Sequence, residues 1–116
     1  NTVVTAIIIL WVSAIVSALI DNIPFTIAMI PIIKQMEIHG IPDTLIWWAL
    51  AMGVGFGGNG SPVGSTANVV VVSKSEETND PITFASWFKS GSIATIVTCF
   101  IATLAILFFH KWLETV

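Results

Sequence analysis

Three long apolar blocks, separated by short polar stretches, make up most of the chain. The first covers residues 1–33 and contains one ionisable side chain, Asp21. The second covers residues 44–73 and contains none, and the third covers residues 90–109. A helix that crosses a hydrocarbon core of about 30 Å needs about 20 residues. The pattern therefore predicts membrane helices, and only the third block has the length of a single straight one.

The first block is too long for one straight membrane helix. At a rise of about 1.5 Å per residue it would measure about 50 Å, so it must bend. Asp21 and Asn22 interrupt the apolar run, and Pro24 fits the first turn of a new helix while preventing the old one from continuing. We predict a helical hairpin over residues 1–36 with its tip at residues 21–24.

The second block must be interrupted for the same reason. It would measure about 45 Å as one helix. It contains Pro62 and six of the eight glycines of the chain, namely Gly53, Gly55, Gly57, Gly58, Gly60 and Gly64. We predict a discontinuous helix over residues 44–74 that is broken near residues 57–68.

Polar stretches connect these blocks. Residues 37–43 predict a surface loop that leads into the second block, and the acidic stretch at residues 74–83 predicts another. The third block predicts a transmembrane helix over residues 88–112. The fold class that follows is an all-α membrane protein with a re-entrant helical hairpin, a discontinuous transmembrane helix and a final transmembrane helix.

Composition supports a membrane location. The chain is 55% hydrophobic and 9% charged, whereas an ordinary soluble domain has about 25% charged residues. Its mean hydropathy is +0.93. The four lysines are scattered singly and the net charge is −3, so we expect no nucleic-acid partner. We expect a multi-pass integral protein of the plasma (inner) membrane, with the lipid bilayer as its first partner.

The chain is short for a transporter. Secondary transporters are commonly built from two repeats, and at 116 residues this chain has room for one compact unit. Its first residue is Asn1 rather than Met, which agrees with truncation. We expect a fragment that corresponds to half of an inverted-repeat transporter. Its partners would be the missing N-terminal repeat of the same transporter and, in a homodimer, a second copy.

Asp21 is the first candidate for chemistry. An ionisable group inside a membrane segment is costly and commonly marks an ion pathway or a proton relay. The structural alternative is that Asp21 only caps the helix that begins near Pro24. Irregular backbone at membrane depth persists only where protein or water satisfies it, so the two breaks are expected to face each other as halves of one pocket.

The second break is rich in oxygen atoms and free carbonyls. Such groups suit a hard cation such as sodium, or hydrogen bonding to an oxyanion. For a sodium ion we predict Asp21, Asn22 and Ser65 as ligands. The alternative is helix packing alone, since Gly53 and Gly57 have GxxxG spacing, as do Gly60 and Gly64. With Asp21 and Asn22, the predicted binding residues are Asn59, Ser61, Pro62, Gly64, Ser65, Thr66 and Asn68.

Two segments together resemble a known family. Residues 17–26, with the sequence SALIDNIPFT, and residues 57–70, with the sequence GGNGSPVGSTANVV, are similar to the ion transporter superfamily. The likeness is greatest to its arsenite-pump and P protein branch, with citrate and dicarboxylate transporters and D-type sodium/proton antiporters as relatives. The resemblance covers essentially the whole chain and implies a second, carboxy-terminal repeat.

The resemblance also implies roles for individual residues. In the dicarboxylate relatives the hairpin tip carries Ser-Asn-Thr, which contacts sodium and a substrate carboxylate; here Asp21, Asn22 and Ile23 occupy those positions, and only Asn22 is retained. A Pro-x-Gly-Thr-like stretch of the family corresponds to residues 62–66, and Asn68 closes it.

The predicted function is secondary active, cation-coupled ion transport. Sodium/proton antiport and export of an anion such as arsenite or a carboxylate both fit, with a small inorganic ion or carboxylate as the substrate and no cofactor beyond a coupling sodium ion or proton. We predict no enzyme, because the sequence offers no nucleophile and base at usable spacing. The alternative function is a non-transporting membrane packing subunit, in which Asp21 caps a helix and the glycines pack.

Overall fold

The computed structural model describes residues 2–42 and 44–115. Asn1 of the predicted hairpin and Asp43 of the predicted loop lie outside the described residues, as does Val116. The described part of the chain is helical and contains no strand, which confirms the all-helical class. Its elements are α1 (Thr2–Leu19), α2 (Asn22–Ile38), α3 (Thr44–Gly57), a short 3-10 turn (Gly58–Gly60), α4 (Thr66–Ser75) and α5 (Phe84–Thr115).

Two of the described helices are long and apolar enough to cross a membrane. They are α1 and the stretch Phe84–Glu114 of α5, and both have a mean hydropathy of 2.4 over the most apolar window. The discontinuity that the second block predicts lies between α3 and α4, where residues 61–65 are not helical.

The turn between α1 and α2 is tighter than predicted. The structure places it at Ile20 and Asp21, so that Asn22, Ile23 and Pro24 already form the first turn of α2. Asp21 is the N-cap of this helix, and its Oδ1 accepts a weak hydrogen bond of 3.5 Å from the backbone N–H of Ile23. Because proline lacks the N–H that a first helical turn leaves unpaired, it stabilises this start rather than a longer loop.

The loop after α2 is also shorter than the predicted 37–43. Glu37 and Ile38 continue the helix, which ends with His39 as its C-cap. Gly40 has a φ of +88°, a left-handed conformation that glycine adopts without strain. The backbone N–H of Ile41 then donates to the Met36 carbonyl at 3.0 Å. A glycine-based helix end therefore reverses the chain within a few residues.

Helices α1 and α3 run parallel and form the centre of the molecule. A Cβ atom added at Gly53 would collide with the Leu10 carbonyl, and one added at Gly57 would collide with the backbone of Ala14. The order of these contacts along both helices shows that they point the same way. The buried apolar residues around this contact include Ala6, Leu10, Ala14, Leu45, Ile46, Ala49 and Leu50.

Helix α5 packs across α1 and α3 in the opposite direction. Its Thr95 hydroxyl donates to the Phe56 carbonyl at 3.2 Å, and its Thr103 hydroxyl accepts from the Trp11 indole at 2.8 Å. The helix is longer than the predicted 88–112. Phe109 has non-helical angles (φ −121°, ψ 17°), which divide α5 into a long arm and a short terminal one. The long arm measures about 37 Å, enough to cross a hydrocarbon core.

Helices α2 and α4 lie at the outside of the described structure. Ile33 is the one buried residue of α2, and none of the residues of α4 is buried. Both helices are nonetheless largely apolar, with Ile23, Ile27 and Val70 more than half exposed. In a membrane protein such faces contact lipid or other protein segments.

Candidate functional site

The two helix breaks lie against each other. The hydroxyl of Thr66, the first residue of α4, donates to Oδ2 of Asp21 at 2.8 Å, although the two residues are 45 positions apart. Asp21 directly precedes α2 and is its N-cap. The amino-terminal ends of α2 and α4 therefore meet at one carboxylate, and helix amino-terminal ends carry partial positive charge.

Ser65 sets the start of α4. Its backbone is extended (φ −157°, ψ 155°), and its Oγ accepts from the backbone N–H of Asn68 at 3.2 Å. This is the geometry of an N-cap, which satisfies one of the N–H groups that the first turn of a helix leaves free. The Ser65 hydroxyl thus orients α4 and places Thr66 next to Asp21.

Asn68 ties the unwound segment, which we define as residues 58–65, to α4. Its Nδ2 donates to the carbonyl of Gly58 at 2.7 Å and to the carbonyl of Ser61 at 3.1 Å. The backbone N–H of Gly64 donates to the same Ser61 carbonyl at 3.2 Å, and Gly64 lies so close to Gly58 that a Cβ atom there would be 2.5 Å from its carbonyl oxygen. Glycine and one amide side chain therefore hold this backbone in a fixed conformation.

Serine side chains join the unwound segment and α3 to α1. The Ser61 hydroxyl donates to the carbonyl of Ala18, and its oxygen accepts from the Val63 N–H at 3.3 Å. One residue earlier on α1, the buried Ser17 hydroxyl donates to the Val54 carbonyl at 3.1 Å. Pro62 beside them is buried. These contacts fix the break of the second block beside the turn of the first.

Asn22 lies on a different face of the break. Its side chain is half-buried and, with Thr26 and Ile30, lines a cavity of about 410 Å³ between α2 and α3. Its carbonyl accepts from the Thr26 hydroxyl at 2.7 Å. The Asn22 amide thus borders open space next to Asp21.

Asn59 does not lie with the other predicted residues. Its side chain is exposed and lines a cavity of about 480 Å³ on the side of α5. Its carbonyl accepts from the Trp87 indole N–H at 3.0 Å. Sequence reasoning missed this contact of α5 with the break. The available signal was the spacing of Trp87, Gly91 and Thr95, which recur every fourth residue and so share one helix face.

The chemistry at the meeting point is that of oxygen ligands. Asp21 provides a carboxylate and Thr66 a hydroxyl, while the Gly58 and Ser61 carbonyls of the unwound segment accept from Asn68. Among residues 2–42 and 44–115 no three His, Cys, Asp or Glu side chains lie together as a metal-binding group. The acidic loop after α4 is not part of this group of ligands. The Glu77 side chain is 72% exposed, and its contact of 3.8 Å with Lys74 is a surface ion pair of little energetic value.

The chain is similar to known membrane transporters over nearly its whole length. The citrate transporter family matches residues 1–55, which include the turn with Asp21 and Asn22. An uncharacterized transporter of Mycobacterium tuberculosis is 39% identical over 117 residues, which cover 98% of this chain and 26% of the relative. The 46 kDa membrane protein of Mycobacterium leprae is 36% identical over 118 residues, with the same coverage of both chains.

The P protein of Sus scrofa is 39% identical over 107 residues, which cover 90% of this chain and 13% of the P protein. No solved structure matches the chain. The chain spans about a quarter of the length of its mycobacterial relatives and about an eighth of the P protein. These matches confirm the resemblance to the ion transporter superfamily that the two segments indicate.

Proposed function

On the premise that this chain is a relative of the citrate transporters and P proteins within the ion transporter superfamily, we propose that it forms part of a secondary active, cation-coupled membrane transporter. The two helix breaks would contribute one half of its ion and substrate site. The observation that carries the proposal is the hydrogen bond of 2.8 Å between Asp21 and Thr66, which joins two helix breaks in an apolar chain.

The energetics of the bilayer favour a site over a purely structural break. Each unsatisfied backbone group costs several kcal/mol in hydrocarbon, so two adjacent interruptions persist only where other protein groups or a water-filled cavity satisfy them. The carboxylate of Asp21 adds a charge that membrane segments seldom carry without a role in transport. Discontinuous helices with paired ends are a recurrent design of transporter binding sites.

The same group of atoms can serve a cation and an anion. The carboxylate of Asp21 attracts sodium or a proton, whereas the amino-terminal ends of α2 and α4 attract an oxyanion once that charge is neutralised. Binding of the cation would then favour binding of the anion, and removal of one would release the other. Sodium/proton exchange needs only the cation binding at Asp21. Coupled movement of arsenite or a carboxylate needs both the cation binding and the anion binding.

Asp21→Asn in the full-length protein tests the proposal. The amide keeps the size of the side chain and can still accept from Thr66, but it carries no charge. In inside-out membrane vesicles with an imposed pH gradient, added sodium should collapse the gradient with the wild-type protein and not with Asp21→Asn at equal expression. Glu76→Gln, which removes an exposed carboxylate, is the matched control and should behave as wild type.

The possible results separate the forms of the proposal. Collapse of the gradient by both wild type and Asp21→Asn would remove Asp21 from the coupling site. If sodium has no effect on the wild type, uptake of arsenite, citrate and other carboxylates into the same vesicles would be measured next. Failure of every one of these fluxes would refute transport.

A second candidate function, a membrane packing subunit, has support from particular contacts. Asp21 does cap α2, and Gly53 and Gly57 do allow α1 and α3 to approach closely. Thr66→Val distinguishes the two functions, because it removes the hydroxyl that meets Asp21 while keeping the size and branching of the side chain. A packing subunit should lose some stability and show no transport defect, whereas a transporter should lose ion affinity at nearly unchanged stability.

A further inference from the structure

Helix α5 contacts the unwound segment through one face. Trp87, Gly91 and Thr95 are spaced four residues apart, so their side chains lie one above the other. The Trp87 indole donates to the Asn59 carbonyl at 3.0 Å, and the Thr95 hydroxyl donates to the Phe56 carbonyl at 3.2 Å. Both bonds reach the backbone of the second block at its break.

These two carbonyls are of the kind that a helix end leaves without a partner. In a continuous α-helix, the carbonyl of Phe56 would accept from residue 60 and that of Asn59 from residue 63. The helix ends before those bonds can form, because α3 stops at Gly57 and only a short 3-10 turn follows. Lipid offers no replacement donors, so the indole and the hydroxyl of α5 replace the helix's own N–H groups.

Gly91 makes this contact sterically feasible. A Cβ atom at this position would collide with the Asn59 carbonyl oxygen and would lie 3.0 Å from Cδ1 of Trp87. The missing side chain leaves a notch on α5 into which the carbonyl fits beneath the indole ring. The glycine is buried although its neighbours Ser90 and Lys89 are exposed.

We infer that Trp87 and Thr95, with the notch at Gly91, are positioning residues that hold the unwound segment in the conformation that places Thr66 next to Asp21. The inference rests on the proposed function. It adds that α5, a helix that contains neither break, controls the geometry of the site. Ser65 and Asn68 fix the same segment from α4, so the segment is held from two sides. Loss of the α5 side should loosen the segment and weaken ion binding without removing any atom of the site.

Two substitutions test the α5 bonds, each with a matched control. Trp87→Phe keeps an aromatic ring and removes the N–H donor; Trp48→Phe makes the same change on the exposed side of α3. Gly91→Ala fills the notch; Gly55→Ala adds the same methyl group where a Cβ meets nothing within 4 Å. Because Gly91→Ala is the harsher change, Trp87→Phe carries the test if the alanine variant fails to fold.

The first measurement is hydrogen exchange of the unwound segment in the full-length protein in lipid nanodiscs. Exchange of the backbone N–H groups of Val63 and Gly64, which bond within the segment, should become about tenfold faster in Trp87→Phe and Gly91→Ala. Both control variants should match the wild type. Unchanged exchange in Trp87→Phe would overturn the inference, whatever the transport result.

The second measurement is the sodium concentration that half-maximally collapses the pH gradient in vesicles. We expect Trp87→Phe and Thr95→Val to raise this concentration about tenfold at similar maximal rate, and Thr95→Ser, which keeps the hydroxyl, to restore it. Faster exchange with unchanged half-saturation would overturn the inference, because the bonds would then serve packing alone. If the wild type shows no response to sodium, the proposed sodium coupling fails, and the exchange result alone decides whether α5 holds the segment.

Discussion

Gly57→Ala and Gly55→Ala make the same chemical change on one helix, and the structure predicts opposite effects on stability. A Cβ atom added at Gly57 would collide with the Cα, carbonyl carbon and oxygen atoms of Ala14. These are backbone atoms of α1 and cannot move aside as the end of a flexible side chain can. At Gly55 the added atom would meet nothing within 4 Å.

The magnitudes follow from two opposing terms. Alanine is favoured over glycine inside a helix by up to about 1 kcal/mol, so Gly55→Ala should stabilise α3 by up to that amount. At Gly57 the methyl group must separate α1 from α3, and such overpacking typically costs about 1–3 kcal/mol. Gly57 ends α3, so it gains less in helix propensity. The two variants should differ by about 2–4 kcal/mol.

Equilibrium unfolding of the full-length protein in mixed detergent micelles, followed by tryptophan fluorescence, measures this difference. Gly53→Ala provides a second test of the same contact, because its added Cβ would lie 2.9 Å from the Cβ of Ser13. It should destabilise in the same direction as Gly57→Ala. If Gly57→Ala were as stable as Gly55→Ala, the close parallel packing of α1 on α3 would be refuted.

Further predictions concern the polar groups near this contact. Asn68→Asp removes the amide group that donates to the Gly58 and Ser61 carbonyls and should cost about 2 kcal/mol. Hydrogen exchange of the unwound segment should then be about 30-fold faster. Unchanged exchange would contradict the role of the amide. Ser17→Ala should cost about 1 kcal/mol in the micelle assay through loss of its bond to α3. Ser13→Ala should be neutral or stabilising, since its buried hydroxyl finds no partner among the described residues; equal losses in both serine variants would contradict this distinction.

Local chemistry made the two helix breaks predictable. A proline cannot continue a helix, and glycines at close spacing weaken one, so Pro24 and residues 57–64 mark the interruptions without any tertiary information. The all-helical class likewise follows from block lengths and hydropathy, and it is confirmed. The position of the turn differs from the prediction by one or two residues. Asp21 is the N-cap of α2, so the helix starts at Asn22, within the predicted tip.

The contacts of α5 could not be predicted in the same way. The Trp87 indole donates to the Asn59 carbonyl and the Trp11 indole donates to the Thr103 hydroxyl, and each bond joins elements that are far apart in the sequence. Which carbonyl a broken helix frees, and which face of a distant helix covers it, depends on the rotation and offset of packed helices. The sequence pattern of one helix does not contain that information, so the contact of Asn59 with Trp87 could not be predicted.

Packing and site formation, which the sequence presents as alternatives, have one common cause in the structure. Ala14 faces Gly57 and Ala18 faces Ser61, and the second pair is 43 positions apart, as is the first. With this constant offset between two parallel helices, the last residue of α1, Leu19, aligns with Pro62 of the unwound segment. The turn at Asp21 must then lie beside the unwound segment, and its partner Thr66 is 45 positions away. The glycines of α3 thus set the alignment on which the meeting of the two breaks depends. Gly57→Ala, which shifts this alignment, should therefore impair ion binding as well as stability. If this contact served packing alone, the substitution would lower stability and leave ion binding unchanged.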